Sequence, residues 1–173
     1  LDGDLPVPAR QLRPFIRAVE RGADLALNNL QPYIGLFTEQ DQVTWWKTFL
    51  NRMLGRPNLA MNSMTAVPHA VSKRFIRTVG VSTLAVPPKA QAVVSGVKGT
   101  APASVGVIRR NRSRPHNTGG KNQVSELIVG DHLEAIHYVQ QRCGTRVSFP
   151  DTERKRDLAK GELDAYEHYH SVV

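Results

Sequence analysis

The chain has 173 residues, 23 Lys or Arg against 15 Asp or Glu, a formal net charge of +8 and one cysteine. That length supports one domain, or two small ones, with a real core. The lone Cys143 excludes an internal disulfide framework, and no apolar run approaches the roughly 18 residues of a spanning helix. The basic balance favours an anionic partner: nucleic acid, an acidic protein or lipid head groups.

The opening "LDGDLPVPAR" has no basic segment followed by an apolar one, so a secretory signal is not expected. It also starts without Met, from which we expect a processed product or a fragment; the missing signal and spanning segment and the single Cys make a virion or the inside of a cell the expected location. From Gln11, Leu12, Phe15, Ile16 and Val19 recur at helical spacing, with Arg10, Arg13, Arg17 and Arg21 on the other side. Pro14 is tolerable only near the first turn, which places the helix start at about Gln11. Gly22 weakens the helix, and residues 23–30 continue it after a break. Glu20 and Asp24 neutralise part of the arginine stripe, which reads as a solvated face.

"TEQDQVTWWKTFLNRMLGRP" predicts a helix over 38–54, with Thr38 as N-cap, Asp41 at the capping-box position and Gly55 then Pro57 as stop. Trp45 and Trp46 anchor the core in this reading, in preference to stacking on bases. Residues from Asn58 to about 72 are loop. "HAVSKRFIRTVGVSTLAV" is ambiguous: as a helix it places Lys73, Arg74 and Arg77 on one face, but its β-branched residues and Gly80 argue for an extended stretch by Val79. The Val-, Pro- and Gly-rich stretch from about 81 to 122 predicts one or two strands or an extended arm.

Further on, "GDHLEAIHYVQQRCG" predicts a helix with Asp131 as N-cap, Glu134 at the capping-box position and Gly144 as stop. Residues 124–129 extend it backwards or form a strand. Cys143 reads as a small buried apolar residue. "TRVSF" predicts a short strand, and 152–169 a charged surface helix.

The charge is unevenly placed. Between Asp41 and Glu126 lie 84 residues with no acid and thirteen Lys or Arg, whereas the segments before and after it are net acidic. A solvated surface ordinarily mixes signs. An acid-free stretch is one that does not repel a polyanion. Its densest part, "VIRRNRSRPHNTGGKNQ", carries Arg109, Arg110, Arg112, Arg114 and Lys121 among Gly, Pro, Ser and Asn. Guanidinium groups on such a chain neutralise phosphates with little sequence preference. No aromatic lies between Phe75 and Tyr138, so this arm offers no base stacking of its own.

Catalytic patterns are sparse. Gly119-Gly120-Lys121 lacks the first glycine of a phosphate loop and has Asn122 where Ser or Thr holds magnesium. Glu134-x-x-His137 and Glu167-x-x-His170 have the spacing used in di-iron carboxylate bundles, but the two further helical glutamates of that pattern are missing. These four residues are the weak metal candidates. There is no Gly-x-Ser-x-Gly elbow, Cys-x-x-Cys pair or His-Glu-x-x-His helix. No motif ties the chain to a known family.

Taken together, the expected fold is α+β and mainly helical. N-terminal helices (about 11–30 and 38–54) and C-terminal helices (about 125–143 and 152–169) pack together, with a basic, extended, β-prone middle arm. The divisions are 1–57, 58–123 and 124–173, within one structural unit. The expected role is a non-enzymatic, basic structural protein of a nucleoprotein assembly such as a virus or phage particle. It would contact RNA or DNA phosphates, neighbouring subunits or both, as an oligomer and with no cofactor. The polyanion ligands in this reading are Arg109, Arg110, Arg112, Arg114, Lys121, Lys73, Arg74 and Arg77. The alternatives are a cellular nucleic-acid-binding or ribosome-associated module, and a small metal-dependent enzyme built on the Glu-x-x-His pairs.

Overall fold

The computed structural model describes residues 6–94, 99–103 and 122–149. Within them the chain is mainly helical around a small sheet. The elements in order are α1 (Ala9–Glu20), β1 (Leu25–Asn28), α2 (Gln42–Met53), β2 (Ala70–Val71), α3 (Lys73–Val79), α4 (Pro87–Val93), β3 (Gly99–Ala103) and α5 (Gln123–Cys143). Short 3-10 turns lie between β1 and α2, between α2 and β2, and between α3 and α4. None of the described helices is long and apolar enough to cross a membrane.

The sheet order is β2-β1-β3, with β1 antiparallel to β2 and parallel to β3. All four residues of β1 are buried, because both faces of the strand are covered. Ala26 faces α1, where it meets Phe15. Leu25 and Leu27 face the opposite way, into a cluster with Leu59, Met64, Phe75, Val79 and Ala90. This alternation is the period-2 geometry of a strand. A second cluster joins α2, α4 and α5 through Leu50, Met53, Ala92, Ala135, Ile136 and Val139. The layers therefore run from α1 through the sheet and α3 to α2 and α5, with α4 between the two clusters.

Several sequence expectations are corrected. α1 begins at Ala9, so Pro14 is its sixth residue. It does not continue past Gly22, which closes it at φ +95°. The Gly22 N–H bonds the Val19 carbonyl, and the Ala23 N–H bonds that of Ala18, a Schellman closure. Residues 25–28, expected as helix, are instead the central strand. Thr38 lies within a 3-10 turn, and the N-cap of α2 is Asp41, whose Oδ1 accepts the Thr44 N–H at 2.8 Å. The expected stop at Gly55 is observed, again as a Schellman closure, with φ +68°.

The stretch over 81–94, expected as strand or arm, contains α4. Pro87 and Pro88 sit in its first turn, where a missing N–H costs nothing and the fixed φ favours the helix. Its small Ala90 and Ala92 let it lie between the two clusters. Among the described residues of 81–122, the Gly99–Ala103 part forms the expected strand. α5 runs from Gln123 to Cys143, close to the expected 125–143 with residues 124–129 extending it backwards, but its N-cap is Asn122, which accepts the Ser125 N–H, and not Asp131. Its inner face is His132, Ala135, Ile136 and Val139; Cys143 lies on the same side but in the last turn of the helix, and it is exposed, not buried. "TRVSF" is a turn. The expected helix over 152–169 lies outside the described residues.

Candidate nucleic-acid interface

Arg109, Arg110, Arg112, Arg114 and Lys121 lie outside the described residues. Lys73, Arg74 and Arg77 lie on α3, which exists because Ser72 caps it: the hydroxyl accepts the Phe75 N–H at 3.0 Å. Phe75 and Val79 turn inward, leaving the three cations exposed on the other side. Lys73 and Arg77 are four residues apart and share a face.

Arg74 has a structural task as well. Its Nε donates to Asp24 Oδ1 at 2.8 Å and its Nη2 to Oδ2, a bidentate ion pair. Ser72 Oγ donates to the same Oδ1 at 3.0 Å, and the Ser72 N–H bonds the Asp24 carbonyl at 2.9 Å. Asp24 thus ties down the start of α3. The Arg74 side chain is still 66 % exposed, so its outer edge can meet a further anion. Through Asp24 the end of α1, with Arg17 and Arg21, is tied to the first turn of α3. Arg10, Arg13, Arg17 and Arg21 are all exposed, as a solvated stripe requires.

The remaining described cations of the acid-free stretch divide by environment. Arg52 is exposed and Arg56 half-buried. Lys89 Nζ bonds Glu134 Oε1 at 2.7 Å, which joins α4 to α5. Lys47 is buried. Asp24 and Glu134, which pair with Arg74 and Lys89 of the stretch, both come from outside it.

Glu134 is thereby engaged by a lysine, and His137 Nε2 contacts Gln141 Nε2 at 2.8 Å. Among the described residues no group of three or more His, Cys, Asp and Glu side chains could hold a metal. Glu167 and His170 lie outside those residues.

Two features were missed from the sequence. Three buried amides form a chain across the core. Asn51 Nδ2 donates to the carbonyls of Ala60 (2.8 Å) and Asn62 (2.9 Å), and its Oδ1 accepts from Gln91 Nε2 (2.7 Å). Gln91 Oε1 accepts the Met64 N–H at 3.1 Å, and Asn62 Oδ1 accepts the Leu30 N–H at 2.8 Å. The available signal was Asn51 on the inner face of α2, one residue from Leu50.

The second feature is a pair of buried basic groups where α2 meets α5. His132 is fully buried; its Nδ1 lies 2.7 Å from the Ile128 carbonyl, which makes Nδ1 the protonated nitrogen. Nε2 is buried without a hydrogen-bond partner. Burial first, and then the nearby Lys47 ammonium, push the His132 pKa down to about 4, against the Ile128 hydrogen bond. The folded state therefore keeps His132 neutral, while the unfolded chain takes up its proton below about pH 6.5. Stability from this group is present above that pH and is lost as pH falls towards 4, by about 3 kcal/mol. His69, lowered by burial, acts in the same direction; Asp131, raised by burial, acts against it. Denaturant unfolding at pH 7 and pH 4.5 should show this loss, and His132→Gln should flatten it. An unchanged acid limb in that variant would place the loss elsewhere.

A cavity of about 370 Å³ opens beside these elements, walled by Leu25, Met53, Leu59, Val93 and Val139 and also lined by Arg56, Arg142 and Cys143. No family model matches the chain, and comparison with curated proteins and with solved structures returned no match.

Proposed function

We propose that the protein is a non-enzymatic, basic structural component of a nucleoprotein assembly that contacts nucleic-acid phosphates through its middle segment. The observation that carries this reading is the 84-residue acid-free stretch with its thirteen cations. Within the described part of that stretch, Arg52, Lys73 and Arg77 are exposed, and Arg74 keeps most of its side chain in solvent. Backbone-phosphate contact needs charge that is reachable and unopposed, not a shaped pocket. A virus or phage particle is the setting that fits best, because acid-bearing ends flanking a basic arm also favour contact between copies.

A variant with Arg109, Arg110, Arg112 and Arg114 all changed to Ser tests the arm. Its affinity for a fluorescent 30-mer should depend less steeply on salt than that of the parent. The log–log slope should fall by roughly 0.7–0.9 for each phosphate that the variant no longer neutralises. Identical slopes would move the arm into a protein–protein contact.

A further inference from the structure

The aromatic side chains of α2 do not all enter the core. Trp45 is 43 % exposed and Phe49 40 % exposed; they stand one turn apart on the outward face, and exposed Arg52 follows at the next turn. Trp45 stacks on Phe37, 67 % exposed, with ring centroids 5.6 Å apart, and its Nε1–H donates to the Phe37 carbonyl. Phe49 stacks on Phe149 at 5.9 Å, and the Arg146 guanidinium lies 5.5 Å above the Phe149 ring. The result is a stripe of ring faces along one helix with guanidinium groups at its C-terminal end.

We infer that this stripe stacks the unpaired bases of single-stranded nucleic acid, with Arg52 and Arg146 at the adjoining phosphates. The inference rests on the proposed nucleic-acid contact and adds a binding mode that the aromatic-free arm cannot supply. Charge decides the occupant. The rings of α2 lie within the acid-free stretch, and the two acids at the Phe37 end are turned to local amides. Asp41 caps Thr44, and Glu39 Oε2 accepts the Leu36 N–H. A π-face accepts any base, and arginine adds a cation–π contact, so the site would be tolerant of sequence.

Trp45 and Trp46 are the chain's two tryptophans, so intrinsic fluorescence reads the stripe directly. The test compares a 20-mer of thymidylate with an abasic 20-mer of the same charge, for the full chain and for Phe49→Ala and Phe37→Ala, each checked for folding by circular dichroism. The expected result is fluorescence quenching and at least ~5-fold tighter binding by the base-bearing oligomer. Each substitution should weaken that binding by ~5-fold or more and leave the abasic oligomer unaffected. Equal affinity for both oligomers, without quenching, would overturn the stacking site and leave phosphate contact standing. Binding of neither at low salt would overturn both. A change in oligomeric state in the variants, with oligomer binding unchanged, would assign the stripe to a second copy of the chain and overturn the inference.

Discussion

Lys47→Met is expected to make the protein more stable at neutral pH, by about 1–3 kcal/mol. Lys47 lies on the inner face of α2, only 8 % exposed, and burial lowers its pKa to about 8 in spite of Asp41. Lowering a pKa by one corresponds to about 1.4 kcal/mol, so holding the ammonium charged in this site costs about 3 kcal/mol at pH 7. Methionine has a similar length, fills the same space and carries no charge. Part of the gain is offset because the attraction to Asp41 disappears. The sign changes with pH in a defined way. Above pH 8 the folded lysine sheds its proton while the unfolded one holds it to about 10.5, so the parent gains stability across that window. The advantage of Lys47→Met should therefore shrink from pH 7 to pH 10, as measured by chemical denaturation. A variant less stable than the parent at pH 7 would show that Lys47 has a stabilising partner.

The opposite outcome is expected for Asn51→Leu. The substitution removes two donated bonds and one accepted bond, and it leaves the Ala60 and Asn62 carbonyls and Gln91 Nε2 without that partner. A buried polar group stripped of its partner costs roughly 1–3 kcal/mol. The loss should be on the order of 4 kcal/mol, and the melting temperature should fall by about 10 °C in a chain of this size. Because Asn51 and Gln91 share a bond, the double variant with Gln91→Leu should cost less than the sum of the two single ones by about 1 kcal/mol or more. Strict additivity would mean that the two amides do not act together.

The elements that could be read in advance were those with one buried face. α2 and the body of α5 carry apolar residues at helical spacing and a glycine stop, so their existence was legible even where their caps were misplaced. β1 was not, because "LALN" is buried on both faces and such a short apolar run has no periodicity to separate strand from helix. α4 was hidden by Pro87 and Pro88, which mark a break in an extended stretch but equally suit the first turn of a helix. Its buried residues are small or polar, so it shows no apolar stripe. The outward position of Trp45 and Phe49 was hidden for a different reason: the inner face of α2 holds Thr44, Lys47 and Asn51. Counting apolar residues alone turns that helix the wrong way. The basic stretch was legible as charge, since charge needs no fold to be counted.

The measurement that bears most directly on the proposed function is the salt dependence of binding by the intact protein to duplex and single-stranded 30-mers of unrelated sequence. A basic component that neutralises phosphates should bind all of them at low salt, with affinity falling steeply and linearly on a log–log plot and differing little between sequences. Absent or salt-independent binding at low ionic strength would contradict the proposal.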